Sequence, residues 1–296
     1  MSRVRIGTAG LLASSLLAGS ASAADVYQPE EPILAPEERI NEGWRVALTA
    51  RFWYFLETDV YHLAFPDTAT YSSAETIGVP FPGGSISITP PGLGGTTFSL
   101  TAFYGEGEGD FGGFEPFNNL GLFQGTREVS RLDIEGIAQI PVVDGVTGIL
   151  GARFIRFVRD ETLVDVLAPI IPQSPIDLLA EQHYYLGEIG FGVNRPAWES
   201  FVFFGNVTGM FGYADLVDFS NSAGGGLGAL GTTADKLEGG VAGIDTNAGI
   251  GLQLSENLLL SGRYRLFYLS NPDFEFTEGG TFIHGPEANL TVSFGG

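Results

Sequence analysis

The chain has 296 residues, of which 44% are apolar and 17% charged, with 43 Gly, 23 Phe, 10 Tyr and no Cys. That is too apolar and aromatic for a disordered chain and too glycine-rich for a helical bundle, and the lack of Cys excludes a disulfide scaffold, thiolate metal sites and a cysteine nucleophile. The net charge of −21 opposes nucleic-acid binding through phosphate contacts, and the single lysine, Lys236, excludes a polybasic membrane anchor.

Residues 1–23 read as a secretory signal peptide. Arg3 and Arg5 supply the positive start, a weakly apolar stretch runs from Ile6 to Leu17, and Ala21, Ser22 and Ala23 form a small-residue cleavage site. A spanning helix would need about 20 apolar residues, more than this run offers. Cleavage after Ala23 leaves 273 residues (296 − 23) with a net charge of −23, because Arg3 and Arg5 are lost. Residues 24–42 carry three prolines and many carboxylates and read as a solvated acidic leader. No later stretch approaches 18 consecutive apolar residues. The remainder is either a secreted soluble β-protein or a β-barrel that crosses a membrane.

From Trp44 the apolar pattern has a period of two. Trp44, Val46, Leu48, Ala50, Phe52, Tyr54 and Leu56 share one parity, and Arg45, Ala47, Thr49, Arg51, Trp53, Phe55 and Glu57 share the other. Alternate side chains in a strand face opposite ways, so one face is apolar and the other mixed. Thirteen residues, 44–56, exceed the ~5–6 of a soluble strand and suffice to cross a bilayer at a tilt. Similar runs follow at 130–140, 147–159, 183–193, 201–213, 242–254, 258–269 and at the C-terminus, where Ala288, Leu290, Val292 and Phe294 oppose Glu287, Asn289, Thr291 and Ser293. In 147–159, Arg156 falls on the apolar parity and would have to snorkel.

The connections alternate in length. Residues 141–146, 194–200 and 255–257 are short; about 160–182, 214–241 and 270–281 are long. Strand direction then requires an even number of strands within 57–129. Residues 85–89 and 97–104 both alternate around the turn 90–95, which makes ten strands in all; eight follow if that hairpin belongs to a long loop. Ser174 as N-cap and Pro175 at the first helical position predict a short helix before Leu178 and Leu179.

These features resemble the small, OmpA-like or porin-like outer-membrane β-barrels of Gram-negative bacteria over roughly residues 43–294. The resemblance rests on the signal peptide, the absence of Cys, the alternating strands, aromatic strand ends such as Trp44, Trp198, Tyr213 and Tyr268, and the asymmetric turns. Such barrels usually end on an aromatic residue, whereas Phe294 here is followed by Gly295 and Gly296. The resemblance implies an all-β, antiparallel up-and-down transmembrane barrel with short periplasmic turns and long outer loops. Its implied partners are outer-membrane lipid, lipopolysaccharide, the barrel-assembly machinery and, if the lumen is open, small solutes.

Parity places Arg45, Arg51, Arg131, Asp133, Glu135, Arg153, Glu188, Asp245, Arg263, Arg265 and Glu287 inside the barrel. Six cations and five anions make the lumen nearly neutral, so the acidity of the chain is expected in the leader and outer loops. Buried charges need partners. The set therefore reads as a salt-bridged plug or, alternatively, as the lining of a small pore selecting anions. The three histidines, His62, His183 and His284, fall in or beside predicted outer loops, and none begins a His-x-Ser motif. No enzyme activity is expected, although an Asp–His pair from separate loops stays open. The run Gly105-Glu106-Gly107-Glu108-Gly109-Asp110 reads as a flexible acidic loop before it reads as a cation site. No cofactor and no metal are expected, and function lies between a structural or porin-like barrel and a surface recognition protein acting through its outer loops.

Overall fold

A computed structural model describes residues 43–59, 61–64, 70–73, 76–115, 121–165, 176–198, 200–223, 237–270, 277–278 and 280–295. The expected signal peptide and leader, 1–23 and 24–42, lie outside these. In chain order the strands are β1 (Arg45–Asp59), β2 (Tyr61–Ala64), β3 (Thr70–Ser73), β4 (Thr76–Thr89), β5 (Thr97–Glu115), β6 (Gly121–Val143), β7 (Val146–Asp165), β8 (Ile176–Trp198), β9 (Phe201–Ala223), β10 (Leu237–Ser255), β11 (Leu258–Ser270), β12 (Thr277–Glu278) and β13 (Gly280–Phe294). Ten of them close an antiparallel barrel in the order β1-β13-β11-β10-β9-β8-β7-β6-β5-β4, and β12-β2-β3 form a small separate sheet. The hairpin at 85–104 is part of the wall, so ten strands, not eight, is the count.

Alternation alone explains which way each side chain points. Leu48, Phe52, Leu100, Leu150, Ile189, Phe203, Ile250 and Leu290 stand exposed on the outer wall, while Trp53, Phe103, Arg131, Arg153 and Glu287 are buried within. A soluble barrel would bury the first set and expose the second; a wall bathed in hydrocarbon requires this arrangement.

At one end the turns are tight: Asp144-Gly145 joins β6 to β7, and Glu256-Asn257 joins β10 to β11. Gly145 has φ of +67°, a left-handed conformation that L side chains disfavour. Toward the other end the expected long loops are shorter than parity alone indicated. β7 runs to Asp165 and β8 starts at Ile176, so no helix follows Pro175. The helix signal was local, whereas Ile176–Glu181 pairs residue by residue with both β7 and β9. The 105–110 run is likewise regular strand within β5, with Glu106 and Glu108 exposed outward and the glycines inward. Part of the acidity expected in loops therefore sits on the outer faces of extended strands. On the same wall Arg156 donates from Nε to Glu181 at 2.7 Å, which gives the cation on the apolar parity an ion-pair partner.

Candidate functional site: the lumen

Reading inward positions from the tight-turn end, each strand passes through three strata. On β1 they are Thr49, Arg51, then Trp53 and Phe55; on β11 they are Ser261, Arg263 and Arg265, then Phe267 and Leu269. The first stratum is a polar cavity of about 350 Å³ lined by Thr49, Ser87, Ser99, Asn206, Asn247 and Thr291 among others. Hydroxyls pair across strands there: Thr49 with Thr291 at 2.9 Å and Ser87 with Ser99 at 2.7 Å.

The second stratum is the charge network. Arg51, Arg131, Asp133, Glu135, Arg153, Glu188, Asp245, Arg263, Arg265 and Glu287 all take inward positions. Arg153 is its hub: Nε donates to Asp133 Oδ1 at 2.7 Å and Nη1 to Asp245 Oδ2 at 2.7 Å. Arg131 Nη2 donates to Asp133 at 2.9 Å, and Arg265 donates to Asp245. Glu287 accepts from Arg51 Nε at 2.9 Å and from Arg263 Nη2 at 2.7 Å. Glu135 lines the cavity below. Glu188 is buried with neither carboxylate oxygen hydrogen-bonded, and its nearest cation is Arg153 at 3.6 Å. Arg45 sits nearer the tight-turn end, where it too has an interaction.

The third stratum escaped the charge-based reading. Trp53, Phe55, Val79, Phe81, Phe103, Phe267 and Ile283 form one buried apolar cluster with neighbouring residues. It rests on the network through cation–π contacts: Arg265 over Trp53 at 4.7 Å, Arg131 over Phe267 at 4.6 Å and Arg51 over Phe103 at 4.8 Å. The signal was present in Trp53 and Phe55, which share the parity of Arg51. Arg127, also buried, was likewise missed, because it lies before the predicted strand start at 130; Arg159, at the end of the predicted strand 147–159 and on its inward parity, is buried as well.

His183 and His284 do not enter the lumen. His183 Nε2 lies 2.9 Å from Glu181, and His284 Nδ1 lies 2.6 Å from the Tyr264 hydroxyl. Both occupy outward positions, and the side chain of His62 lies outside the described residues. Among the described residues no group of three metal-ligating side chains is assembled, at 105–110 or elsewhere.

No family model matches the sequence, and no curated protein matches it. Solved structures do. The outer membrane protease OmpT from Escherichia coli aligns over 85% of this chain and 97% of its own, at 10% identity and a TM-score of 0.50. The translocator domain of the autotransporter NalP from Neisseria meningitidis aligns over 87% and 90%, at 11% identity and a TM-score of 0.49. The transport unit of the autotransporter AIDA-I from Escherichia coli aligns over 88% and 93%, at 10% identity and a TM-score of 0.40. The likeness is one of fold: the chain has the architecture of bacterial outer-membrane β-barrels.

Proposed function

We propose that the protein resides in the bacterial outer membrane as a structural barrel whose lumen is sealed along its axis. Export by the signal peptide and placement of the tight turns in the periplasm belong to the same reading. One observation carries it: the charge network and the apolar cluster above it fill successive cross-sections with buried side chains. A hydrated ion would have to break the Arg153 bridges and then cross the packed apolar cluster. The polar cavity is thus a blind vestibule rather than a pore mouth. The reading assigns no catalytic step to the chain, and its partners are lipid, lipopolysaccharide and the assembly machinery.

Single-channel recording in a planar bilayer tests it, with heat-modifiable gel migration confirming the folded barrel in the same sample. The expected trace is silent. Reproducible discrete steps would overturn the sealed lumen and make the arginines selectivity candidates for small anionic solutes.

A second reading, surface recognition, draws on the extension of β6, β8 and β9 to 23 residues and on the small sheet β12-β2-β3. Deleting 224–236, which join β9 to β10, would abolish ligand or cell binding and leave migration unchanged if that end is the recognition surface.

A further inference from the structure

The barrel wall is not evenly bonded. β5 pairs with β6 from Thr97↔Gln139 to Glu115↔Gly121, and β4 pairs with β1 from Thr89↔Arg45 to Thr76↔Thr58. Between β4 and β5, however, pairing runs only from Ile88↔Phe98 to Gly83↔Phe103. Among the described residues, Thr76–Pro82 have no paired residue on β5.

The sequence explains where the ladder stops. Pro80 and Pro82 have no N–H. In an antiparallel strand successive residues bond to opposite neighbours. Pairing with β1 continues unbroken through Phe52↔Pro82 and Tyr54↔Pro80, so the proline nitrogens point the other way, at β5. In each of the next two rungs those nitrogens would have to donate to the carbonyls of Tyr104 and Glu106, and they cannot, so each rung loses one of its two bonds.

Close contact of the Pro80 carbonyl and of side chains fills this stretch instead. A Cβ on Gly105 would lie 2.5 Å from the Pro80 carbonyl oxygen and 2.6 Å from the Phe81 ring, and one on Gly107 would lie 2.6 Å from Val79. Phe81 and Val79 therefore lean across two glycines, and Phe81 stacks on Phe103 with centroids 5.2 Å apart. Inside this seam is the apolar cluster of Trp53, Phe55 and Ile283. Outside it, Tyr104 and Glu106 are hydrogen-bonded to each other where the apolar wall of β5 gives way to carboxylates. Barrel interiors are ordinarily polar. Here the lumen is apolar beside the stretch of wall whose rungs lack donors.

We propose that the β4–β5 seam is a lateral opening through which an unbranched hydrocarbon chain, that of a fatty acid in the adjoining leaflet, reaches the apolar upper lumen. Parting Thr76–Pro82 from β5 breaks no ladder pair; it requires that the Pro80 carbonyl leave its close contact with Gly105 and that Phe81 and Val79 swing off Gly105 and Gly107. The opposite border of the β1–β4 hairpin does not part, because β1 resumes pairing with β13 at Leu56↔His284 after skipping Pro286. An entering chain displaces Phe81 toward Trp53 and takes its place in the cluster, so the axial seal is kept. The inference rests on the membrane reading above.

Trp53 is the reporter. The W44F/W198F variant, with Trp53 as sole tryptophan, is reconstituted in phosphatidylcholine vesicles and titrated with 9,10-dibromostearic acid, whose bromines quench on contact. Saturable quenching is expected. In the same background P80T/P82T restores two N–H donors, and the quenching is expected to need about tenfold more acid or greater, the factor two rungs are worth. Amide exchange checks that the new donors are protected. Unquenched Trp53, or equal quenching in a variant whose new amides are protected, would overturn the proposal. If P80T/P82T does not fold, F81A serves in its place: quenching at lower acid concentration supports the seam, and an unchanged titration overturns it. Brominated phosphatidylcholine should quench Trp44 and Trp198 in the unaltered protein, and failure there would strike the membrane reading itself.

Discussion

Arg153 shows what a single buried residue does in this barrel. Its guanidinium joins Asp133 on β6 to Asp245 on β10, while its face lies 4.8 Å from the Phe267 ring. The pair energies offset desolvation only while every member is present. Arg153→Ala leaves Asp133 with Arg131 and Asp245 with Arg265, but it takes the nearest cation from the buried Glu188 and splits the network, and is expected to cost about 3–5 kcal/mol, read as a lower urea midpoint for the heat-modifiable band. Glu287→Gln keeps an amide oxygen for Arg51 or Arg263 and should cost clearly less than that. Equal losses from both would mean that packing, not charge, governs this stratum. Parity indicated in advance that these side chains face inward. It did not indicate who binds whom, because Asp133 and Asp245 meet at Arg153 only once the sheet has curved shut.

At the scale of the strand, turns and glycines decide tolerance. Gly145 closes the tight β6–β7 turn with positive φ, so Gly145→Ala should destabilise by about 1–2 kcal/mol. Gly136 faces outward, and a Cβ there meets nothing within 4 Å. Gly136→Ala should therefore shift the midpoint by less than about 0.5 kcal/mol. A reversed ranking in one unfolding assay would contradict the assigned facing of β6. Sequence patterning located each barrel strand to within its alternating core. It failed at the upper extensions such as Asp160–Asp165, Ile176–Gln182 and Gly105–Asp110, where charged or glycine-rich residues hide the period of two. Those segments are strands because neighbours on both sides continue the ladder.

For the whole molecule, height is the informative dimension. A tilted strand crosses hydrocarbon in roughly 9–11 residues, whereas β6, β8 and β9 have 23 each. With a rise near 3.3 Å per residue and a tilt near 40°, the barrel should stand roughly 25 Å proud of the bilayer on one side. Atomic force microscopy of reconstituted membranes checks this, and a flush surface on both sides would refute it. The upper strand extensions carry outward carboxylates such as Glu106, Glu108, Glu128 and Asp160. Much of the chain's net charge of −21 therefore lies outside a lumen in which Arg and carboxylate are nearly balanced.

The sequence by itself determined the class of fold, narrowed the strand count to ten or eight, and set the inward or outward facing of the side chains in each alternating run. These follow from a period of two and a direction count, both of them local properties of the chain. Only the tertiary structure decided the strata of the lumen, the partners of Arg153 and the bare β4–β5 seam. Each depends on the register between strands far apart in sequence. A proline pair such as Pro80 and Pro82 is innocuous or disruptive according to which neighbour its missing N–H faces.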